Sequence, residues 1–194
     1  MLTIPGGVVF SPGDGPNSAS DFTKSLEANY LPYELLASEE VNRRWPQSNL
    51  PDGVDTIYTT DSGIAHASCS VTAMQYQTRS HGATLKERTK EDRITPDANG
   101  VVIETSSGRY HTGQVILAAD AWVNKLLAPL GAEIPLSVMQ EQVTCFKPRD
   151  ATFFDPKRFP VWIWGGEKWF YGFPSYGEPT IKAARDVSNN VMTP

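Results

Sequence analysis

The sequence predicts a mixed α+β (α/β) fold, and three stretches carry that prediction. Val115-Ile116-Leu117-Ala118 is a continuous apolar run, the pattern of a strand covered on both faces. Small residues then lead into a helix whose Trp122, Leu126, Leu127 and Leu130 form a fair apolar stripe. Downstream, Val161-Trp162-Ile163-Trp164 turns at Gly165-Gly166 and returns as Lys168-Trp169-Phe170-Tyr171-Gly172-Phe173-Pro174, with Thr180 to Ala184 as a third strand. That half reads as an antiparallel sheet with aromatic residues on both faces.

The remaining elements follow in order. Gly7-Val8-Val9-Phe10 is a short strand, and Ser11 to Asn17 is a loop rich in turn-forming residues. Ser18 or Ser20 caps a helix running to about Tyr30. Tyr33 to Leu36 is a brief extended piece. Ser38 caps a second helix, with Glu39 and Glu40 in its first turn and Arg43 and Arg44 in its last, as the helix dipole prefers; Pro46 stops it. Asp55 to Thr60 alternates as a strand, Asp61-Ser62-Gly63 turns, and a helix from about Ser68 to Ser80 ends at Gly82. Ala83 to Glu87 is the next strand. Asp92–Ile94 and Val101–Glu104 form a hairpin, and Ser107-Gly108 turns again before Arg109–His111. Asp120 is placed to cap the helix after the apolar run, and Ser137 to Phe146 is a long extended segment.

Composition narrows the function. The chain has 194 residues, 40% hydrophobic and 20% charged, which reads as globular. Its net charge is -5 and it has no long run of Lys or Arg, so nucleic-acid binding is not expected. No apolar run reaches the length of a membrane span, and Met1-Leu2-Thr3 opens no secretory signal, so a cytoplasmic protein is expected. Cys69 and Cys145 are far apart in sequence and read as one disulfide or, in a reducing cytosol, two thiols; without CxxC spacing they indicate neither zinc nor a redox dithiol. His66, His81 and His111 stand on separate segments, and no metal site is expected. The strand, turn and helix start at Val115–Leu127 suit either a ligand's negative end or an ordinary core connection. The aromatic sheet suits either a core or the roof of a small-molecule pocket, where Tyr171 supplies a hydroxyl.

Four segments, in order, add a resemblance. They are Glu40-Val41-Asn42-Arg43-Arg44-Trp45-Pro46, Asp61-Ser62-Gly63-Ile64, Val115 to Leu127, and Phe170-Tyr171-Gly172-Phe173-Pro174-Ser175-Tyr176-Gly177, the last followed by Lys182. Together they resemble the FAD-dependent amine oxidases of the monomeric sarcosine oxidase and N-methyltryptophan oxidase type, in the D-amino-acid-oxidase-like superfamily. The resemblance implies part of an FAD-binding flavoprotein domain at 61–133. It implies an antiparallel-sheet substrate domain at 134–194, to which residues 1–60 add a strand and helices. The family's opening GxGxxG unit is absent, and the chain stops before the segment that carries the flavin-linking cysteine. It therefore reads as a central fragment, with a partner chain as one source of the missing FAD-binding half and marginal stability when expressed alone.

The chemistry so implied is oxidation of a secondary or N-methyl amino acid to an imine, with hydride passing to flavin and oxygen returning as hydrogen peroxide. Tyr171 matches the family tyrosine at the substrate pocket. Its role would be orientation by hydrogen bond, to the substrate carboxylate, and not base catalysis. Trp162 and Phe173 are implied pocket walls. Ala118, Ala119 and Trp122 match the turn bordering the flavin, and Glu91 falls near the position whose backbone meets the adenine. Asp186 stands near the place of a family histidine, and no catalytic residue is assigned within the chain. Gly63-Ile64-Ala65-His66-Ala67 resembles the branch acting on pipecolate or glycated amino acids, which stays open. So does a non-catalytic remnant that binds a small acid or a partner protein through the aromatic sheet.

Overall fold

The computed structural model describes residues 2–193. In chain order its strands are β1 (Leu2–Thr3), β2 (Gly7–Ser11), β3 (Glu34–Leu36), β4 (Asp55–Thr59), β5 (Ile64–Ala65), β6 (Glu91–Asp97), β7 (Gly100–Thr105), β8 (Gly108–Thr112), β9 (Val143–Phe146), β10 (Val161–Gly165), β11 (Trp169–Phe173) and β12 (Ile181–Asp186). The helices are α1 (Ala19–Ala28), α2 (Ser38–Arg44), α3 (Ala67–Ser80) and α4 (Val123–Leu127), with short 3-10 turns beside α2 and on both sides of α4. The chain divides into two compact units. One comprises the described residues up to Thr72 with Glu141–Asn189; the other comprises Ala73–Gln140 with the residues from Asn190.

The first unit is built on a seven-stranded sheet of order β3-β4-β2-β10-β11-β12-β9. Only the β2–β10 pair is parallel; every other neighbour is antiparallel. One face of this sheet is a core. Val8 and Phe10 project there with Leu36, and α2 adds Val41, which has no exposed surface. Trp45, Tyr58, Trp162 and Trp164 complete the cluster.

The segment around α2 shows how local sequence fixes this packing. Ser38 is the first helical residue, not the cap expected of it; Ala37 holds the cap position. The reason is a competing partner: the Ser38 hydroxyl donates to the Val54 carbonyl and accepts from the Val54 N–H, both at 3.1 Å. Asn42 clamps the following loop, donating to the Leu50 carbonyl at 2.9 Å and accepting from the Leu50 N–H at 2.7 Å. Glu40 accepts from both Arg43 and Arg44, and Arg44 reaches on to Glu34 of β3 at 2.7 Å. Trp45 packs on Tyr58 with ring centroids 5.2 Å apart. In α1, Ser18 is the cap, and its backbone N–H donates to the Asp21 carboxylate at 2.9 Å.

The second unit carries the β6-β7-β8 meander. The hairpin expected around Thr95–Gly100 forms with a tighter turn than expected, since the β6 ladder runs on to the Asp97–Gly100 pair. Three expectations fail here. Ala83–Glu87 forms no strand; Glu87 instead accepts from Arg79 at the end of α3, 2.7 Å away. Val115–Ala118 is not a buried strand, because the run joins no ladder among the described residues and Ile116 is 92% exposed. Asp120 does not cap a helix: its φ of 46° is left-handed, it is itself the first residue of a 3-10 turn, and Trp122 stands at the cap position of α4. The long extended segment at Ser137–Phe146 is regular only in β9, apart from a single bridge between Met139 and Val191.

Candidate functional site

The register of the large sheet decides which aromatic side chains share a face. Ile163 pairs with Tyr171, Tyr171 with Ala184, and Val9 with both Ile163 and Ile57. These five side chains form one row across the sheet, on the face opposite the Val8–Phe10 core. Phe173 stands two residues from Tyr171 on the same side, paired with Lys182; Trp169 stands two residues the other way, paired with Asp186. The rings of Tyr171 and Phe173 meet edge-on, centroids 5.8 Å apart. Together they line a hollow of about 490 Å³, bounded also by Val161, Thr59 and Ser62. Thr59 and Ser62 hydroxyls bond each other at 2.7 Å at its β4 margin.

Trp162 does not share that face. It is the partner of Gly172 and neighbours Val8, so its side chain points into the core. Its indole lies over Gly172 so closely that a methyl group there would come within 2.6 Å of Nε1. All three residues expected to wall the pocket border the hollow: Tyr171 and Phe173 sit side by side on its face, while the Trp162 ring packs over Gly172 against the core.

Beside the hollow a chain of contacts runs outward from Phe173. Its ring meets Tyr176 at 6.2 Å, and Tyr176 carries the Lys182 ammonium over its face at 5.2 Å. His66 packs edge-on against Tyr176, and its Nε2 bonds the Thr3 hydroxyl at 2.8 Å. His66 is thereby a linker between β1, β5 and the loop after β11, and no three metal-ligating side chains gather among the described residues. Cys69 and Cys145 are both free and exposed.

The second unit holds a different site. Glu91, Ala118, Ala119 and Trp122, singled out on separate segments, all line one open cleft of about 950 Å³. Its floor includes Ile94 and Ile103 from the meander, and one wall is the run Val115–Ala119. Lys86, Lys90 and Lys125 also line it, a signal that scattered single lysines do not give in sequence. Trp122 is 55% exposed and the Ala118–Ala119 side chains are small, so both a flat ring and the backbone are open to a ligand. An aromatic base can stack on Trp122, and Lys86 and Lys125 offer positive charge to a phosphate, while Lys90 is paired with Asp92 at 3.7 Å and Glu91 adds a second carboxylate to the lining.

The sequence profile of the family described as FAD dependent oxidoreductase matches residues 4–189. Monomeric sarcosine oxidase of Bacillus sp. (strain NS-129) is 27% identical over 183 residues, which cover 94% of this chain and 47% of that protein. N-methyl-L-tryptophan oxidase of Salmonella arizonae is 31% identical over 159 residues, covering 80% of this chain and 41% of that protein. The chain thus spans about half the length of the curated relatives it matches. Among solved structures, NikD, an unusual amino acid oxidase essential for nikkomycin biosynthesis, superposes with a TM-score of 0.85 at 24% identity, over 96% of this chain and 49% of that one. Glycine oxidase of Geobacillus kaustophilus superposes with a TM-score of 0.73 at 19% identity, over 95% of this chain and 48% of that one. These two show a shared fold.

Proposed function

This chain belongs to the FAD dependent oxidoreductase family, and from that membership we propose that it serves the oxidation of a secondary or N-methyl amino acid, sarcosine-like, to an imine. Two electrons and the α-hydrogen leave as hydride, water then hydrolyses the imine, and dioxygen is reduced to hydrogen peroxide. The flavin supplies the hydride acceptor when bound. The observation that carries the reading is the aromatic hollow, with Tyr171 as the one polar residue of an otherwise apolar row.

The side chains of the hollow divide the work. The apolar side chains of Val9, Ile57 and Ile163 disfavour a charged ammonium, which keeps the reacting amine in the neutral form whose lone pair supports hydride loss. Tyr171 donates to a substrate carboxylate oxygen and so fixes which hydrogen faces the acceptor. Phe173 holds the Tyr171 ring by its edge contact and shields the reacting carbon from water. In the other unit, the Ala118–Ala119 backbone, Trp122, the Glu91 backbone, Lys86 and Lys125 would hold the nucleotide part of FAD.

The test is peroxide formation by the purified chain supplied with FAD and offered sarcosine, N-methyl amino acids, pipecolate and the matching primary amino acids. The reading expects peroxide from the secondary amines above that from the primary ones. Equal or no response to every amine, in a preparation that retains FAD, would sink it.

A further inference from the structure

Among the described residues, Asp186 is the one carboxylate or ammonium side chain in the lining of the aromatic hollow. It lies on the same face as Tyr171, paired with Trp169 and two residues along β12 from Ala184, the residue opposite Tyr171. At ~3.3 Å per residue this sets it about 7 Å from the Tyr171 row. Among the described residues it makes no ion pair, and its side chain is at the exposed rim. The nearest cation on its strand and face, Lys182, is two rows away with its ammonium over the Tyr176 ring.

We propose that Asp186 selects substrates carrying a second, cationic group, so that the preferred amine is an N-substituted amino acid with a basic side chain. The inference rests on reading the hollow as the amine site. The reacting nitrogen must be neutral, so it belongs in the apolar row around Tyr171 and away from a carboxylate that would hold its proton. A second ammonium has the opposite need. At the rim it keeps part of its hydration, meets the Asp186 carboxylate, and lies beside the Trp169 ring. The separation between the two positions is that of a lysine-type side chain.

The probes are Nα-methyl-lysine and Nα-methyl-norleucine, which differ at the end of the side chain, and pentylammonium, which lacks the amino-acid head. Each is titrated calorimetrically into the chain, so that no turnover is required. Nα-methyl-lysine binds about tenfold more tightly than the norleucine compound, the weight of one partly hydrated charge-assisted contact. Asp186→Asn abolishes that preference and leaves the norleucine affinity in place. A preference that survives Asp186→Asn overturns the assignment, and so does its absence from the unmodified chain while the norleucine compound still binds; the amine-site reading then stands. Binding of pentylammonium alone, lost in Asp186→Asn, upholds the carboxylate's role and overturns the amino-acid reading. Silence from all three probes overturns both.

Discussion

Trp162 and Gly172 face each other across the β10–β11 ladder, and the indole occupies the space where a side chain at 172 would be. This contact locks the tryptophan into the core and leaves the opposite face of the same two strands to Tyr171 and Ile163. A methyl group at 172 must push the ring into a packed cluster. Gly172→Ala is expected to lower stability by about 2 kcal/mol, the usual cost of an overpacked core, read from the shift of a urea unfolding midpoint. An unchanged midpoint would show that the ring has room to move.

Tyr171→Phe separates the phenol from the ring. The edge contact with Phe173 and the place opposite Ala184 are both kept, so the unfolding midpoint stays where it was. Affinity for an N-methyl amino acid falls about tenfold, the loss of one hydrogen bond to a charged group. Titration of the two proteins with the same amine checks this; equal affinities would remove the orienting role.

Asn42 is expected to matter for folding and not for chemistry. Asn42→Ala leaves the N–H and carbonyl of buried Leu50 without partners, at a cost of about 2–3 kcal/mol. The denaturation curve is the measurement, and a loss under half that size would mean that water replaces the amide.

Acid should weaken the α2 region in a defined window. The Arg43 and Arg44 hydrogen bonds hold the Glu40 carboxyl down to about 2, against 4.5 for an ordinary glutamate. A depressed folded value means that the stabilisation is complete above 4.5 and is lost as the pH falls towards 2. Glu40→Gln therefore removes part of the pH dependence of the melting temperature within that window and leaves the curve above it parallel. A Glu40→Gln protein with the full acid slope would place the sensitivity elsewhere.

Local pattern fixed much of the fold in advance, and the failures have particular causes. The alternating Trp and Ile residues of β10, the Gly165-Gly166 turn and the return strand were legible because composition and turn chemistry agree there. The face of Trp162 was not. It depends on the register between β10 and β11, and a slip of one residue would exchange it with Ile163. Val115–Ala118 shows the reverse problem: four apolar residues state a preference for burial, but only neighbouring strands can satisfy it. The Ser38 position failed by one residue because the Val54 backbone, sixteen residues away, claims its hydroxyl. The motif residues around Asn42 matched by resemblance turn out to carry a loop clamp and an ion-pair network. Asp186 could join Tyr171 only once β12 had been registered against β11.

The most direct test of the account is the visible absorption spectrum of the purified chain after incubation with excess FAD and desalting. The cleft formed by Glu91, Ala118, Ala119, Trp122 and the three lysines predicts a retained flavin band, diminished by Lys125→Glu. A flavin-free eluate from the unmodified chain would contradict the assignment of that cleft to the cofactor.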